Sequence, residues 1–202
     1  TLALGIGATT AIFSLIDAVM LRLLPVERPA ELASVLKQEP GEQPEDGLTY
    51  AIWEAVRDQQ DVFAGVFAWS TPKAFDLGHG GSVQNVRGLM VSGDYFGTLG
   101  VPPVAGRLIV DADDQRGCVP VAVLSYAFWQ TRFGGSEGAL GSIVSLNRQP
   151  FQVIGVSAPR FFGVEVGKTF DLVMPLCASA RFDARNLDSR SRWWLSIMGR
   201  VK

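Results

Sequence analysis

From Thr1 to Ile16 the chain carries no charged residue, and with Asp17 as the only ionisable interruption the apolar stretch continues to Leu21. A helix that spans a bilayer needs about 20 apolar residues, and at about 1.5 Å per residue the uncharged part alone makes about 24 Å of helix. This run therefore predicts the C-terminal part of a transmembrane helix over residues 1–24. Wound as a helix, Leu2, Ile6, Phe13, Ile16 and Met20 share one side, while Gly7, Ala11, Ser14 and Ala18 line the other. Small residues stacked in this way let a second helix approach closely, and close packing is what holds helices together in lipid. Gly7, Ala11, Ser14 and Ala18 are thus the expected helix-packing residues. A secretory signal fits less well, because no basic n-region or small-x-small cleavage site flanks Leu21-Arg22-Leu23-Leu24-Pro25. A buried core helix fits poorly, since the stretch has no polar face. Asp17, at the shoulder of the small-residue stripe and close to Pro25, reads as an interfacial residue that snorkels. With Thr1 in first place, the chain is expected to continue a longer polypeptide upstream.

The remaining residues read as a folded domain on one side of the membrane. After Pro25 the longest apolar run, 119–129, is about half of what a span requires. With 48% hydrophobic residues the chain can bury a large core. Eighteen basic against twenty acidic residues give a formal charge of −2, which argues against a partner bound through phosphates. A single histidine, His79, and two cysteines, Cys118 and Cys177, cannot build a His/Cys zinc site unaided. For the two cysteines, free thiols are preferred over a disulfide because a domain of this size needs no staple.

Hydrophobic periodicity and turn chemistry give the elements. Strands are expected at 33–36, 66–69, 74–77, 83–91, 119–124, 142–146, 151–156, 170–175 and 194–201. Thr49 caps a helix over 50–60 with Ile52, Trp53 and Val56 inward, and Ser125 caps a second over 126–133 that ends at Gly134-Gly135. Residues 92–101 make a short helical turn ending at Gly100, and Asn147 sits left-handed in a hairpin. His79 belongs to a Gly-rich turn, and Asp111, Asp113 and Asp114 to a solvated loop. Strands outnumber helices and connections are short, so the class is α+β with mixed, mostly antiparallel sheets. If the domain is bipartite, its boundaries fall near Gly106 and Pro175.

No catalytic constellation emerges. Gly163-Val164-Glu165-Val166-Gly167-Lys168-Thr169 is one residue short of a phosphate-binding loop, and a strand rather than a helix follows it. No Gly-x-Ser-x-Gly elbow accompanies His79, either cysteine would lack a base, and Asp113 and Asp114 project apart. An EF-hand loop over the aspartates would close on a glutamate where Ala122 stands. Catalytic, cofactor-binding and metal-ligating residues are all expected to be none.

Several segments together resemble the start of a MacB-type ABC-transporter permease and its periplasmic core domain. They are Ala3-Leu4-Gly5-Ile6-Gly7-Ala8-Thr9-Thr10-Ala11-Ile12-Phe13-Ser14, Leu21-Arg22-Leu23-Leu24-Pro25, Val91-Ser92-Gly93-Asp94-Tyr95-Phe96, Leu99-Gly100-Val101 and Ala105-Gly106-Arg107. Val121-Ala122-Val123-Leu124-Ser125-Tyr126 with Trp129 and Arg132-Phe133-Gly134-Gly135, and the stretch from Leu146 to Val156, extend the match over nearly the whole chain. The wording is nearest to the duplicated permeases of acidobacteria, in the same FtsX-like superfamily. Thr9, Leu23 and Arg148 depart from that pattern, where asparagine, proline and glycine are expected. The resemblance implies a transmembrane helix over 1–24 and a periplasmic domain over 25–202, with a porter-like part and an inserted smaller subdomain at roughly 106–175. It implies a bacterial inner membrane, a separate ABC ATPase subunit or domain, a second permease copy, contact with membrane lipid and a periplasmic adaptor protein, but no nucleic acid. In such proteins the ATPase does the chemistry, and the permease couples it mechanically to export or envelope remodelling. A membrane-tethered periplasmic binding or sensor module is the alternative.

Overall fold

The structure, a computed structural model, describes residues 24–38, 41, 43, 45–79 and 82–202. The expected transmembrane segment, with Gly7, Ala11, Ser14, Asp17 and Ala18, lies outside the described residues. Among the described residues no helix is long and apolar enough to cross a membrane.

In chain order the elements are β1 (Leu32–Val35), α1 (Tyr50–Gln59), β2 (Phe63–Ser70), β3 (Lys73–His79), β4 (Ser82–Val91), α2 (Tyr95–Leu99), β5 (Pro103–Gly106), β6 (Val121–Leu124), α3 (Tyr126–Phe133), β7 (Ile143–Leu146), β8 (Gln149–Ser157), β9 (Leu172–Pro175) and β10 (Leu195–Val201). All the strands join one mixed sheet, so the α+β class holds. Most neighbours are antiparallel, but β4–β9 and β6–β8 run parallel. The β4–β9 pairing closes a ring, β4-β3-β7-β8-β6-β9, while β2, β10 and β1 continue outward from β4 as an open wing.

Strand period decides where the cores lie. Alternate residues of β2, β4, β6 and β9 feed opposite faces. Val66 and Ala68, Val86 and Met90, Ala122 and Leu124, Leu172 and Met174 enter one core. Phe67 and Trp69, Leu89 and Val91, Val121 and Val123, and Val173 enter the other. Phe75, Leu77, Val144, Leu146, Phe151 and Val153 from the rest of the ring join the first core, which is therefore the ring interior extended under α1 and α3. Strands buried on both faces read as unbroken apolar runs, as Val121–Leu124 does, although Val119 at the start of the expected strand is 68% exposed. Gly88 makes room inside: a Cβ there would stand 2.7 Å from the Phe75 ring and 2.9 Å from Met174 Cε.

β2 and β3 form one bent strand against β4. The register slips by one residue between Trp69↔Val91 and Lys73↔Gly88, across Thr71 and Pro72. A bulge is where a strand tolerates proline. Two buried serines replace the interrupted ladder: Ser70 Oγ accepts from Met90 N–H at 3.2 Å, and Ser92 Oγ from Ala68 N–H at 3.0 Å.

Local predictions hold where side-chain chemistry fixes the backbone. Thr49 Oγ1 accepts from Ile52 N–H at 3.3 Å, Ser125 Oγ from Phe128 N–H at 3.2 Å, and Gly100 and Gly134 close their helices with positive φ. Asn147 and Arg148 both have positive φ, as a tight hairpin turn requires. Strand β5 was not anticipated; with proline first and glycine last, it pairs only with β8. At the β3–β4 hairpin the backbones of His79 and Ser82 pair, consistent with the expected turn.

Two expectations are corrected. Cys118 and Cys177 are joined, with Cα atoms 6.2 Å apart. The free-thiol reading underestimated how closely the ring brings residues 59 positions apart, since it folds the 115–118 turn onto the end of β9. The solvated-loop expectation fails at Asp114, which is 5% exposed, while Asp111 stays exposed and Asp113 receives two Arg107 guanidinium nitrogens at 2.6 and 2.8 Å. Closing a loop of this length removes on the order of 4 kcal/mol of unfolded-state freedom. The Cys118→Ser/Cys177→Ser variant should accordingly lose roughly 2–4 kcal/mol of stability in urea unfolding while keeping its fold, as read by circular dichroism.

Candidate functional site at the Arg200 junction

The described chain begins where the apolar segment ends, so residues 24–31 are the only described covalent link between that segment and the domain. Leu24, Val26 and Leu32 pack on the second core, and Glu27 N–H donates to Leu99 O at 2.9 Å. What fastens the link is Arg200. It follows Met198 on the β10 face that turns away from the ring, and is 7% exposed.

The guanidinium spends its donors on two other chain segments. Nη2 donates to Glu27 O at 2.6 Å and Thr98 O at 2.8 Å, and Nε also reaches Thr98 O at 3.2 Å. Nη1 donates to Arg28 O at 2.9 Å and to Glu31 Oε2 at 3.2 Å. One rigid fork thus ties the link, α2 and β10 together. The carbonyl of Thr98 lies in the last turn of α2, where helix carbonyls lack internal partners. Arg28 turns left-handed, with φ 43°, into the single turn Pro29–Glu31, and its own Nη1 donates to Glu31 Oε1 at 3.2 Å. Gly100 matters here too, because the Glu27 side chain occupies the space a Cβ would need. Beside the junction lies a cleft of about 300 Å³ whose wall includes Glu27, Gly65, Asp94, Thr98 and Arg200.

Acidic side chains gather before the other end of α2. Asp94, at its N-terminus, is pushed up by burial and then by the charge of Asp111 beside it. Asp114 accepts from Cys177 N–H at 2.8 Å and from Gly93 N–H. Burial pushes its carboxyl up to about 7, against the pull of these N–H groups and of Arg57. Tyr50, whose hydroxyl burial and the Asp114 charge push up to about 12, stands under the Arg116 guanidinium, 5.4 Å from the ring centroid. Arg116 in turn clasps Glu54 through two nitrogens, both at 3.0 Å, and Asp188 at 2.6 Å.

Among the described residues no three His, Cys, Asp or Glu side chains are grouped to hold a metal ion. The segment resembling a phosphate loop is a turn, in which Glu165 receives Trp69 Nε1–H at 2.8 Å and pairs with Lys168. Neither Arg200 nor its partners were singled out in the sequence. The available signal was an arginine inside an apolar alternating strand, where burial demands partners.

The mixed sheet and the buried Arg200 clamp at the start of the described domain belong to a permease periplasmic domain. The chain belongs to the MacB-like periplasmic core domain family, whose model matches residues 1–202. The fold is shared with the periplasmic region of MacB from Actinobacillus actinomycetemcomitans at a TM-score of 0.62 and 18% identity, covering 87% of this chain and 78% of that one. The extracellular domain of the noncanonic ABC-type transporter YknZ from Gram-positive bacteria gives a TM-score of 0.56 at 16% identity, with 85% and 82% covered. No curated protein matches the sequence.

Two outcomes test the site. Arg200→Lys keeps the charge but loses the fork, so amide exchange of Glu27 and Glu31, whose N–H groups bond Leu99 O and Arg28 O, should accelerate at least tenfold while β6 and β9 remain protected, as read by hydrogen–deuterium exchange. The raised Asp114 carboxyl holds its proton more tightly when folded. Its contribution to stability is therefore whole below about pH 4 and lost as pH climbs through about 7. Asp114→Asn should flatten this fall, bringing the melting temperatures at pH 5 and pH 8 closer by roughly 5 °C relative to the parent.

Proposed function

We propose that this chain is the extracytoplasmic part, with the end of the first transmembrane helix, of an ABC-transporter permease subunit. In this reading a separate ABC ATPase subunit or domain hydrolyses ATP below the membrane of a bacterial cell. The permease converts that work into movement of residues 25–202 for export or envelope remodelling. Gly7, Ala11, Ser14 and Ala18 pack the first helix against others, a second permease copy completes the unit, and membrane lipid surrounds it. A periplasmic adaptor is the expected further partner, and residues 106–175 are the inserted part, contributing β6 to β9 to the ring.

The observation that carries the reading is the Arg200 junction. Force arriving along the chain at Leu24 meets a fork of hydrogen bonds to two other elements within a few residues, so displacement is passed to the sheet instead of being absorbed in a slack linker. The Cys118–Cys177 disulfide supports the compartment, since such bonds persist in an oxidising space.

The test joins the full-length permease to its ATPase in lipid nanodiscs, with spin labels placed on α3 of each copy. ATP should shift the inter-label distance in the parent. In Arg200→Lys the ATPase should keep turning over while the shift is lost. ATP hydrolysis by this chain alone, or an unchanged shift in the variant, overturns the mechanical reading.

A further inference from the structure

A groove runs along α1, a trough of about 680 Å³ whose wall includes Thr49, Ala51, Ile52, Ala55, Val56 and Arg190; Ile52 and Val56 also reach the first core, while Ala51 and Ala55 face only the trough. Tyr50 and Trp53 turn the opposite side of the helix into the core. Its wall mixes the apolar Ala51, Ile52, Ala55 and Val56 with Thr49, which precedes the helix, and Gln59 and Gln60 at its other end. Arg190 is its one charged wall residue, is exposed, and forms no ion pair among the described residues.

The helix itself is polarised. Its first turn offers N–H groups without carbonyl partners one turn back, and its last turn offers free carbonyls, giving a positive and a negative end about 15 Å apart. Just beyond the negative end stand Asp61, whose carboxylate has no partner among the described residues, and Val62, which is 61% exposed. Ala51, Ala55 and Gln59 recur every fourth residue on the trough side, and two alanines facing a second helix allow axes to approach to about 8 Å.

We propose that this trough is filled by α1 of a second copy of the chain, packed antiparallel about a two-fold axis that passes near Ala55. Antiparallel packing is the arrangement that satisfies both ends at once. Arg190 and the helix N-terminus of each copy meet Asp61 and the C-terminal carbonyls of the other, and Val62 of each copy covers the end of the opposite trough. Parallel packing would set like ends together. A two-fold interface repeats every such contact, so one complementary pair of ends on a single chain is sufficient. In a pair anchored in one bilayer the axis lies along the membrane normal, which lays α1 parallel to the membrane surface. The inference rests on the reading that permeases act in pairs and names the face by which the domains meet.

The test uses the full-length chain in nanodiscs, with mass photometry for copy number and disulfide cross-linking of Ala55→Cys for the face. The two native cysteines are already paired. A residue on the axis should cross-link to itself, giving a covalent dimer. Arg190→Asp alone and Asp61→Arg alone should each lower the cross-linked yield about tenfold, and the two together should restore it because the ends are matched again. Paired particles without an Ala55→Cys cross-link, or a cross-link indifferent to both reversals, overturn the proposed face and leave the pairing intact. Single copies throughout overturn the pairing as well.

Discussion

Strand β4 holds the domain together. Its earlier residues pair with β3, its last four pair in parallel with β9, and Val91 opposite Trp69 joins it to β2. Ring and wing meet nowhere else with comparable register. The bulge at Thr71-Pro72 lets one bent strand serve both, and it leaves N–H groups that only the Ser70 and Ser92 hydroxyls satisfy. Without the β4–β9 pairing the apolar faces of β6 and β9 would lack a partner on one side, because both their faces are buried.

The same strand positions the attachment site. Its C-terminal end runs through Ser92 and Gly93 into α2, so the short helix starts where ring and wing join. One end of α2 is held by Arg200, and the Gly93 N–H just before the other end is held by Asp114, with the disulfide behind it. Both grips rely on buried polar groups, which stabilise little in net terms but are costly to break and therefore fix geometry. Between them α2 acts as a strut five residues long, connecting the link from the membrane side to the cross-braced loop that leads into β6.

Much of this was legible locally. Thr49, Ser125, Gly100, Gly134 and Asn147 each impose a backbone conformation through their own chemistry, and each did so at the expected place. Strands with two buried faces announced themselves as apolar runs. What stayed hidden depended on tertiary proximity. Neither the closure by β9 nor the disulfide follows from spacing, because a separation of 59 residues says nothing about distance until the ring is formed. The aspartates misled for the same reason: three acids in a loop look solvated until Asp114 is seen capping Cys177 and Gly93 from inside. Arg200 is the sharpest case, since its five hydrogen bonds reach residues 102 to 173 positions away.

Hidden partners of this kind are what the proposed mechanical role would require of the domain. A catalytic centre needs reactive groups exposed to substrate, and those carry recognisable motifs. A joint needs stiffness, which comes from saturating one buried donor with acceptors from segments that must move together, and any strand can supply an arginine for that purpose. The guanidinium is suited to it because its planar fork loses less freedom per bond than a flexible ammonium would. Glu31 neutralises the charge from one side while the three carbonyls of Glu27, Arg28 and Thr98 take the remaining donors, so the clamp leaves the ion paired without isolating it from all solvent. A junction built this way depends on single nitrogens of one side chain and leaves the cores untouched, so its geometry is separable from the folding of the domain.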